Sequence, residues 1–536
     1  MGIYLNSKAP FENYRSIVSD PYFVDKTALI SELVPAIGKE QRFFCITRPR
    51  RFGKSVMANM LGAFFGKGQD GAPLFHDLAI GKESGHMEHL NKHDVIFMDL
   101  SRMPRGCDHY GQYIKRIQDD INRDLAEAYP EISIDITDAV WDVLGTIFEK
   151  TGDKFIFIID EWDAIFHKAF IREGDKQDFL GFLRNLLKGQ GYVALTYMTG
   201  VLPIAKYTSG SELNMFLEYD MATKKKFSEY FGFLDEEVDR LFTIYQDTTD
   251  DSSISREDLR VWYDGYHTAR GKRIYNPRSI VCALSDDELA GYWTSSGPYD
   301  EIFYYIRHDI YAVREDLVLM IAGEGIDTEI WQYSAVSMEL ETKAQIYSAM
   351  VIYGLLTYKD GKVYIPNREI MEQFKVMLMT KASLGYIHEL AKESEKMLRA
   401  TLTGDTQTMA RILKFAHDTE SPIFSYNSEI ELSAIVNLVY LAARDRYRVE
   451  REDKAGEGYV DFIFYPERPD ADAIILELKI DSTPKEAIQQ IKDKNYALRF
   501  RGKLGEKARY TGRILAVGIS YQKKTKEHFC AIEILA

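Results

Sequence analysis

Short apolar runs alternate with longer stretches of helical spacing over the first 235 residues. The runs are rich in β-branched and aromatic residues, which is typical of buried strands in a parallel sheet. They cover residues 42–47, 95–100, 154–160 and 192–200. Helical spacing is clearest over residues 109–129 and 176–188. The repeated order of strand, helix and strand predicts a doubly wound α/β domain over residues 1–235.

Residues 236–385 predict a mostly helical middle domain with aromatic islands. Within residues 354–366, two short apolar runs flank Asp360-Gly361, a dipeptide that favours a tight hairpin turn. Helices followed by a short hairpin indicate a winged-helix-like module. The middle domain therefore differs in class from the segment that precedes it.

The last segment, residues 386–536, predicts an α+β domain. It begins with helical patterns, one from residue 386 and another over about 427–445. A β-hairpin, a helix that starts at Pro484 and a final strand follow. Their ranges are 459–466 with 473–480, 484–500 and 513–521.

Composition narrows the class of protein. The chain has 536 residues, of which 46% are hydrophobic and 28% charged, which excludes a disordered or collagen-like chain. At about 100–200 residues per domain, three or four domains are expected. No apolar run reaches the roughly 20 residues that span a bilayer, and no signal peptide is visible at the start. Four scattered cysteines fit a reducing compartment, so we expect a cytoplasmic protein.

Charge is unevenly distributed along the chain. The net charge is −15, yet residues 479–526 hold 13 Lys and Arg against 4 Asp and Glu. This local excess of +9 indicates a confined anionic partner. A solvated face that keeps the protein in solution is the alternative.

A candidate phosphate-binding loop directly follows the first predicted strand. Residues 48–55 read RPRRFGKS, in which Gly53 begins the GKS end of the pattern GxxxxGK[ST] and Arg48 replaces the first glycine. Lys54 can reach the β- and γ-phosphates of a nucleotide, and Ser55 can hold Mg²⁺. An ordinary strand–helix turn is the alternative. The residues expected to bind the nucleotide here are Arg50, Arg51, Gly53, Lys54 and Ser55.

An acidic pair ends the third predicted strand, in FIFIIDEWD at 155–163. Asp160 can hold the water shell of Mg²⁺, and Glu161 can polarise the attacking water. The loop and the acid pair, in this order, match the P-loop ATPases that carry a catalytic glutamate. Thr199 ends the next strand and is a candidate sensor of the γ-phosphate, with a strand-end cap as the alternative.

Charged residues interrupt the apolar strands near the C-terminus. Because residues two apart on a strand share a face, Glu477 and Lys479 point the same way, and the hairpin partner can bring Asp461 beside them. Two carboxylates and a lysine can bind Mg²⁺ and polarise a water against a phosphodiester. The pattern is that of the PD-(D/E)xK nucleases, and an exposed cross-strand ion pair is the alternative.

Further residues would complete this second site. Glu429 lies at a predicted helix start, where an additional metal-binding acid is expected, and Glu431 is an alternative to it. Gln490 and Tyr496 lie on the predicted helix after Lys479, within a basic run that suits a phosphate backbone. The metal ligands expected over both sites are Ser55, Asp160, Glu429, Asp461 and Glu477.

These motifs together resemble a bacterial AAA-ATPase-like family, in which a P-loop ATPase domain precedes a PD-(D/E)xK nuclease-like domain. The resemblance covers nearly the whole chain, and the family's arginine in place of the first P-loop glycine accounts for Arg48. The matching stretches are YFVDKTALISEL (22–33), TRPRRFGKS (47–55), FIIDEWD (157–163), TGVLPIA (199–205), WYDGY (262–266), YNPRSI (275–280) and GEGYVDFIFYP with IILELK and IQQIKDKNY after it.

The resemblance places the ATPase near the archaeal-type and signal-transducing P-loop branch. Its nucleotide site corresponds to Gly53, Lys54, Ser55, Asp160 and Glu161. Its nuclease site corresponds to Glu429, Asp461, Glu477 and Lys479, with Gln490 in support. Which arginine completes the ATP site stays open between Arg50 and Arg51.

The resemblance implies a protein that binds and hydrolyses ATP and carries a Mg²⁺- or Mn²⁺-dependent nuclease acting on nucleic acid, DNA in preference to RNA. The alternative is a nucleotide-dependent switch whose nuclease-like domain binds without cutting. Intact Asp461, Glu477 and Lys479 favour cleavage chemistry. A small-molecule kinase is disfavoured by Glu161, and the oligomeric state stays open.

Overall fold

The structure of the chain is a computed structural model that falls into two compact units. The first comprises residues 1–298 and 327–369, and the second residues 299–326 and 370–536. The structure describes residues 2–83, 85–103, 106–204, 213–250, 252–293, 310–330, 342–380, 386–417, 429–455, 458–468, 470–500 and 510–535. These units divide the chain differently from the predicted boundaries at 235 and 385, and residue 385 itself lies outside the described residues.

The described helices and strands are numbered in chain order. The helices are α1 (Ala9–Val18), α2 (Ala28–Leu33), α3 (Lys54–Phe65), α4 (Ala72–Phe75), α5 (Tyr110–Ala128), α6 (Val140–Thr151), α7 (Glu173–Leu187), α8 (Asp235–Thr248), α9 (Arg256–Tyr263), α10 (Pro277–Asp286), α11 (Ile310–Ile321), α12 (Lys343–Tyr353), α13 (Arg368–Thr380), α14 (Tyr386–Thr403), α15 (Thr406–His417), α16 (Glu429–Val439) and α17 (Pro484–Asp493). The strands are β1 (Phe43–Thr47), β2 (Asp94–Asp99), β3 (Phe155–Asp160), β4 (Val193–Gly200), β5 (Leu217–Tyr219), β6 (Phe233–Leu234), β7 (Tyr266–His267), β8 (Arg273–Tyr275), β9 (Ile326–Asp327), β10 (Thr357–Lys359), β11 (Lys362–Tyr364), β12 (Tyr447–Ala455), β13 (Gly458–Pro466), β14 (Ala473–Ile480), β15 (Ile514–Gln522) and β16 (Glu527–Ile534).

A five-stranded parallel sheet forms the centre of the first unit, in the order β2-β3-β4-β1-β5. Strands β1, β3 and β4 are buried along their whole length, which explains why their sequences are continuous apolar runs. Helices α5, α6 and α7 contribute to one buried cluster, and α2 and α3 to another. The sheet is therefore the middle layer of an α/β domain, as predicted.

Of the helical segment that follows, α8, α9 and α10 belong to the first unit, whereas α11 belongs to the second. Helices α8, α9 and α10 pack around their own buried cluster, which includes Tyr245, Tyr263 and Ile280. Strands β10 and β11 form the predicted hairpin, and its turn residues Asp360 and Gly361 both have left-handed φ values, 51° and 82°. This geometry is that of the tight hairpin turn that an Asp-Gly pair favours, so the hairpin prediction is confirmed.

A mixed five-stranded sheet forms the centre of the second unit, in the order β12-β13-β14-β15-β16. Strands β13 and β14 are antiparallel, as the predicted hairpin requires, whereas β14 and β15 are parallel and are connected through α17. Helix α17 packs its buried Ile488 and Ile491 on one face, against Ile475 and Ala516. On the opposite face, Tyr440 beyond α16 contacts Phe464 with ring centroids 5.2 Å apart.

Three local features of the second unit differ from the sequence prediction. The edge strands β12 and β16 were not predicted, because an edge strand pairs on one side only and keeps many polar residues. Helix α17 ends at Asp493 rather than near residue 500. Asn495 has a left-handed φ of 54°, which interrupts the helix, and a short 3₁₀ helix follows at Tyr496–Phe500.

Helices long and apolar enough to cross a membrane are absent from the described part of the chain.

Candidate functional site

The carboxyl ends of the parallel strands gather the first group of predicted residues at one edge of the sheet. Strand β1 leads into the phosphate loop, and the N–H of Arg48 donates to the carbonyl oxygen of Gly200 at 3.1 Å. The N–H of Trp162 donates to the carbonyl oxygen of Thr199 at 3.1 Å. These two bonds join the loops after β1, β3 and β4, although the three segments are far apart in sequence.

Arg48 has a structural role at the position where the P-loop pattern has its first glycine. Its side chain is 1% exposed and donates to the carbonyl oxygens of Thr47 (2.7 Å), Tyr219 (2.8 Å) and Phe227 (2.9 Å). The guanidinium also lies over the ring of Phe231, 4.7 Å from its centroid. Burial lowers the pKa of Arg48 to about 10. Its φ is negative, so this position does not require glycine.

Lys54 lies at the start of α3, directly after Gly53, which has a left-handed φ of 87°. The Lys54 ammonium is buried and donates to the carbonyl oxygens of Arg48 (3.1 Å) and Pro49 (3.0 Å). Burial lowers the pKa of Lys54, while the charge of Asp163 acts in the opposite direction. The ammonium is thus held over the phosphate loop, where its positive charge faces the space in front of α3.

Ser55 and the acid pair after β3 lie together. Burial raises the pKa of Asp160 to about 7, and a hydrogen bond from the Ser55 hydroxyl partly offsets that increase. The oxygen atoms of a hydroxyl and of a carboxylate are both ligands that Mg²⁺ prefers, so Ser55 and Asp160 fit that ion. Glu161 has a left-handed φ of 50°, which is uncommon for a residue with a side chain, and burial raises its pKa.

Thr199 is fully buried, and its hydroxyl donates to the carbonyl oxygen of Ile46 at 2.9 Å. This bond joins the ends of β4 and β1, and the proposed contact with a γ-phosphate stays a prediction. Asp163 was missed by the sequence analysis. It is buried and accepts the N–H groups of Val201 (3.0 Å) and Leu202 (2.7 Å). Its signal was a third acid in FIIDEWD, within an otherwise apolar segment.

A cavity of about 720 Å³ opens in front of the phosphate loop. Its polar lining includes Arg50, Arg51, Lys54 and Glu161, together with Asp20, Lys26 and Arg278. Its apolar lining comes from segments distant in sequence and includes Tyr22, Val24, Phe233, Pro277 and Val281. The volume lies in the range of small-molecule sites, and the lining offers charged groups to a phosphate chain and apolar groups to a flat ring.

The second predicted group assembles on one face of the sheet of the second unit. The pairing of β13 with β14 brings Asp461 next to Glu477, and Asp461 accepts the N–H of Leu478 at 2.7 Å. Glu477 and Lys479 are two residues apart on β14, and Lys479 Nζ lies 3.2 Å from Glu477 Oε1. Gln490 of α17 donates to the same Oε1 oxygen. The structure therefore brings Asp461, Glu477, Lys479 and Gln490 together.

Glu477 is the most buried member of this group, with 3% of its surface exposed. Burial raises the pKa of Glu477 to about 7, the adjacent Asp461 carboxylate raises it further, and the Lys479 charge lowers it. Its second oxygen, Oε2, is buried and has no hydrogen-bond partner among the described residues. A buried carboxylate oxygen without a donor fits a cation, so the residues present suit a divalent metal.

The other residues predicted for the second site are not all positioned as expected. Tyr496 lies on the 3₁₀ helix rather than on α17, and its hydroxyl forms a hydrogen bond with Gln490. Glu429 is the first residue of α16, and its side chain lies outside the described part of the structure. Over the described residues, no group of three or more Asp, Glu, His or Cys side chains could hold a metal, so Glu431 does not complete the site.

A lysine-rich turn lies beside this group. The turn between β15 and β16 carries the exposed residues Lys523, Lys524 and Lys526. Asp481, at the end of β14, accepts the N–H of Lys523 at 2.8 Å, and its own N–H donates to the carbonyl oxygen of Tyr521 at 2.8 Å. The turn is therefore anchored two residues beyond Lys479. Residues 501–509 of the predicted basic stretch lie outside the described residues.

Family comparisons match both halves of this arrangement. Residues 10–208 match the family model described as Predicted AAA-ATPase, and residues 433–528 match that of the PD-(D/E)XK nuclease superfamily. The chain combines an AAA-ATPase-like domain with a PD-(D/E)XK nuclease-like domain. The predicted resemblance is thereby confirmed, with the two parts in the predicted order.

One relative is similar in sequence to nearly the whole chain, across both the AAA-ATPase-like and the nuclease-like domain. It is an uncharacterized protein in the vnfD 5′ region of Azotobacter chroococcum mcd 1, 23% identical over 515 residues, which are 90% of this chain and 91% of that protein. Similar solved structures include the Walker-type ATPase PABY2304 of Pyrococcus abyssi, at 12% identity and a TM-score of 0.35, covering 65% of this chain and 94% of that one. CDC6p from Pyrobaculum aerophilum is similar at 12% identity and a TM-score of 0.28, over 70% and 97% of the two chains.

Proposed function

We propose that the protein binds ATP with Mg²⁺ in the cavity of the AAA-ATPase-like domain and hydrolyses it, and that the nuclease-like domain cleaves nucleic acid, DNA in preference to RNA. The observation that carries the second part is the pair of adjacent carboxylates of Asp461 and Glu477, of which Glu477 is buried, has an unsatisfied carboxylate oxygen and has a lysine beside it. Such a pair repels unless a cation lies between the carboxylates.

Roles at the nucleotide site follow from charge and position. Lys54 neutralises the β- and γ-phosphates, while the N–H groups at the start of α3 donate to phosphate oxygens. Ser55 and Asp160 would hold Mg²⁺, which supplies charge neutralisation on the phosphates when bound. Glu161 orients the attacking water and accepts its proton, a task for which a raised carboxylate pKa is suited.

Replacing Lys54 with alanine is expected to weaken nucleotide binding by roughly 100-fold. The substitution removes a charged hydrogen bond worth about 3 kcal/mol, and the side chain is already held over the phosphate loop. Titration calorimetry with a non-hydrolysable ATP analogue measures the change. Lys39→Ala, at an exposed position, is the matched control. Equal affinity of Lys54→Ala and wild type would exclude the P-loop assignment.

Roles at the nuclease site follow in the same way. Asp461 and Glu477 would hold Mg²⁺ or Mn²⁺, which lowers the pKa of a bound water and stabilises charge on the phosphate when present. Lys479 shares a face with Glu477 and can orient the water or stabilise that charge. Gln490 holds the Glu477 carboxylate in place through its contact with Oε1.

A cleavage assay tests the proposal directly. Purified full-length protein is incubated with plasmid, linear DNA or RNA and Mg²⁺ or Mn²⁺, with and without ATP. Divalent-dependent products that disappear with a chelator support a nuclease. The absence of products under every condition would favour a switch that binds nucleic acid without cutting it.

The lysine turn should contribute to nucleic-acid affinity by pairing with phosphates. Replacing Lys523, Lys524 and Lys526 with alanine is expected to weaken nucleic-acid binding. The slope of the logarithm of the association constant against the logarithm of the salt concentration should also become shallower, by about 0.7–0.9 for each phosphate that the protein no longer neutralises. Fluorescence anisotropy of labelled nucleic acid, recorded in the presence of a chelator at salt concentrations from about 50 to about 300 mM, measures the slope. Triple replacement of Lys392, Lys396 and Lys414, which are exposed in the same unit, removes equal charge and is the control. An unchanged slope would show that the turn pairs with no phosphate.

A second function is a nucleotide-dependent switch whose nuclease-like domain binds nucleic acid without cutting it. Two observations favour it. Glu477 Oε1 is already engaged by Lys479 and Gln490, and no third acid among the described residues joins the pair to hold a metal. This function predicts nucleic-acid binding that depends on ATP and no cleavage.

A further inference from the structure

Two loops of the first unit bring six basic residues together. Residues 221–228 follow β5, and residues 268–273 lead from β7 into β8; we call these two ranges the basic loops. Neither range contains an aspartate or a glutamate, although the chain as a whole has a net charge of −15. All of the basic residues are exposed except the first, which is half-buried; they are Lys224, Lys225, Lys226, Arg270, Lys272 and Arg273.

Hydrogen bonds hold the two basic loops side by side. The N–H of Ala269 donates to the carbonyl oxygen of Met221 at 3.0 Å. The Arg270 guanidinium donates to the carbonyl oxygen of Lys225 at 3.1 Å, across 45 positions of the chain. Because both backbone and side-chain groups join the loops, their cations lie on one surface of the first unit.

The first basic loop is anchored by Arg48, the buried residue that begins the phosphate loop. The Arg48 guanidinium donates to the carbonyl oxygen of Tyr219, just before the basic loop, and to that of Phe227, near its end, at 2.8 and 2.9 Å. The Ser228 hydroxyl donates to the carbonyl oxygen of Lys225 at 2.9 Å. Since the backbone that carries the lysines is held in place, less conformational entropy is lost when they bind a partner.

Neighbouring carboxylates compensate only part of the positive charge of the basic loops. Four of the six cations have an acidic partner, in the pairs Lys226 with Glu32, Arg270 and Lys272 with Glu229, and Arg273 with Asp264. Lys224 and Lys225 form no ion pair with a carboxylate of the described residues. Ion pairs at an exposed surface contribute only about 0–1 kcal/mol, so the paired cations are also available to a stronger anion.

We propose that the basic loops bind the phosphate backbone of nucleic acid, which gives the AAA-ATPase-like domain a nucleic-acid contact of its own. Ammonium and guanidinium groups form strong hydrogen bonds with phosphate oxygens, and clustered cations release counterions when they bind such a polyanion. Nucleic acid is favoured over an acidic protein because the same chain carries a nuclease-like domain. The inference goes beyond the proposed function, since neither the nucleotide site nor the nuclease site requires a contact at these loops.

Replacing Lys224, Lys225 and Lys272 together with alanine tests the inference on the full chain. Fluorescence anisotropy of labelled DNA or RNA, with a chelator present to prevent cleavage, measures the association constant at several salt concentrations. We expect the affinity to fall by at least about tenfold at about 0.1 M salt, and its dependence on salt to become shallower. The control removes equal charge from exposed lysines elsewhere in the same unit, by triple replacement of Lys39, Lys92 and Lys150.

The outcomes separate the basic loops from the lysine turn of the second unit and from overall charge. The loss of affinity should also occur in a protein whose lysine turn has already been replaced by alanines. Unchanged affinity and salt dependence in the basic-loop variant overturn the inference, and so does an equal loss in the control variant. A wild-type protein that binds neither DNA nor RNA overturns it as well, whereas calorimetry with the ATP analogue judges the nucleotide site independently.

A second measurement leaves the sequence unchanged. Bound nucleic acid should protect Lys224 and Lys225 of the wild-type protein from an amine-acetylating reagent, while Lys39 is modified as before, and mass spectrometry measures each position. Equal modification with and without nucleic acid overturns the inference. If polyglutamate protects these lysines as well as nucleic acid does at equal charge concentration, the surface is that of an acidic-protein partner, which also overturns it.

Discussion

Asp461→Asn should lower nucleic-acid cleavage by at least about 10³-fold and leave nucleotide affinity unchanged. A bound metal contributes several kcal/mol of charge stabilisation in the transition state, and each 1.4 kcal/mol corresponds to about tenfold in rate. The substitution removes one of the two adjacent carboxylates on which that ion depends. Single-turnover cleavage with Mg²⁺, beside calorimetry with the ATP analogue, measures both quantities.

The matched control is Asp470→Asn, an exposed aspartate of the same unit that pairs with Arg468. It should cut at the wild-type rate. Cleavage by Asp461→Asn at the wild-type rate would show that the active site lies elsewhere. If wild-type protein does not cut, the switch becomes the better account of Asp461 and Glu477.

Glu161→Gln should keep ATP binding and lower hydrolysis by about 10²–10⁴-fold, the usual contribution of a general base. The change keeps the size of the side chain and removes the proton acceptor, while Lys54 would still neutralise the phosphates and Ser55 would still hold Mg²⁺. Phosphate release at saturating ATP, together with the affinity for the analogue, separates turnover from binding. Glu149→Gln, at an exposed carboxylate of α6, should leave both unchanged. Undiminished hydrolysis in Glu161→Gln would assign the proton transfer to another residue.

The central strands could be predicted from sequence because their signal is local. Residues 155–160 are buried without exception, so a continuous apolar run was both necessary and visible. The hairpin at Asp360-Gly361 was equally local, since the two residues themselves adopt the left-handed backbone that the turn needs. The edge strands β12 and β16 carry no such signal, because one of their sides is unpaired and tolerates polar residues.

At the second site, the spacing of residues along the strands was enough to predict which side chains lie together. The period of two along a strand placed Glu477 and Lys479 on one face, and the hairpin placed Asp461 beside them. The contact of Gln490 with Glu477 follows from helix α17 crossing that face, and the sequence placed the start of this helix correctly. Tyr496 was assigned to the wrong element, because a left-handed residue at Asn495 ends the helix pattern without a glycine or proline to mark it.

The sequence by itself determined the order of the two domains, the strands of both five-stranded sheets except β5, β12 and β16, and the residues of the motifs that lie at strand ends. Only the tertiary structure decided what several of those residues contact. The Arg48 guanidinium donates to the carbonyl oxygens of Tyr219 and Phe227, and a carboxylate oxygen of Glu369 accepts the backbone N–H of Trp293. In each of these pairs the two residues are 76 or more positions apart in the chain. Strand and helix patterns repeat over a few residues, whereas these contacts depend on how distant segments pack, so no local period could have indicated them.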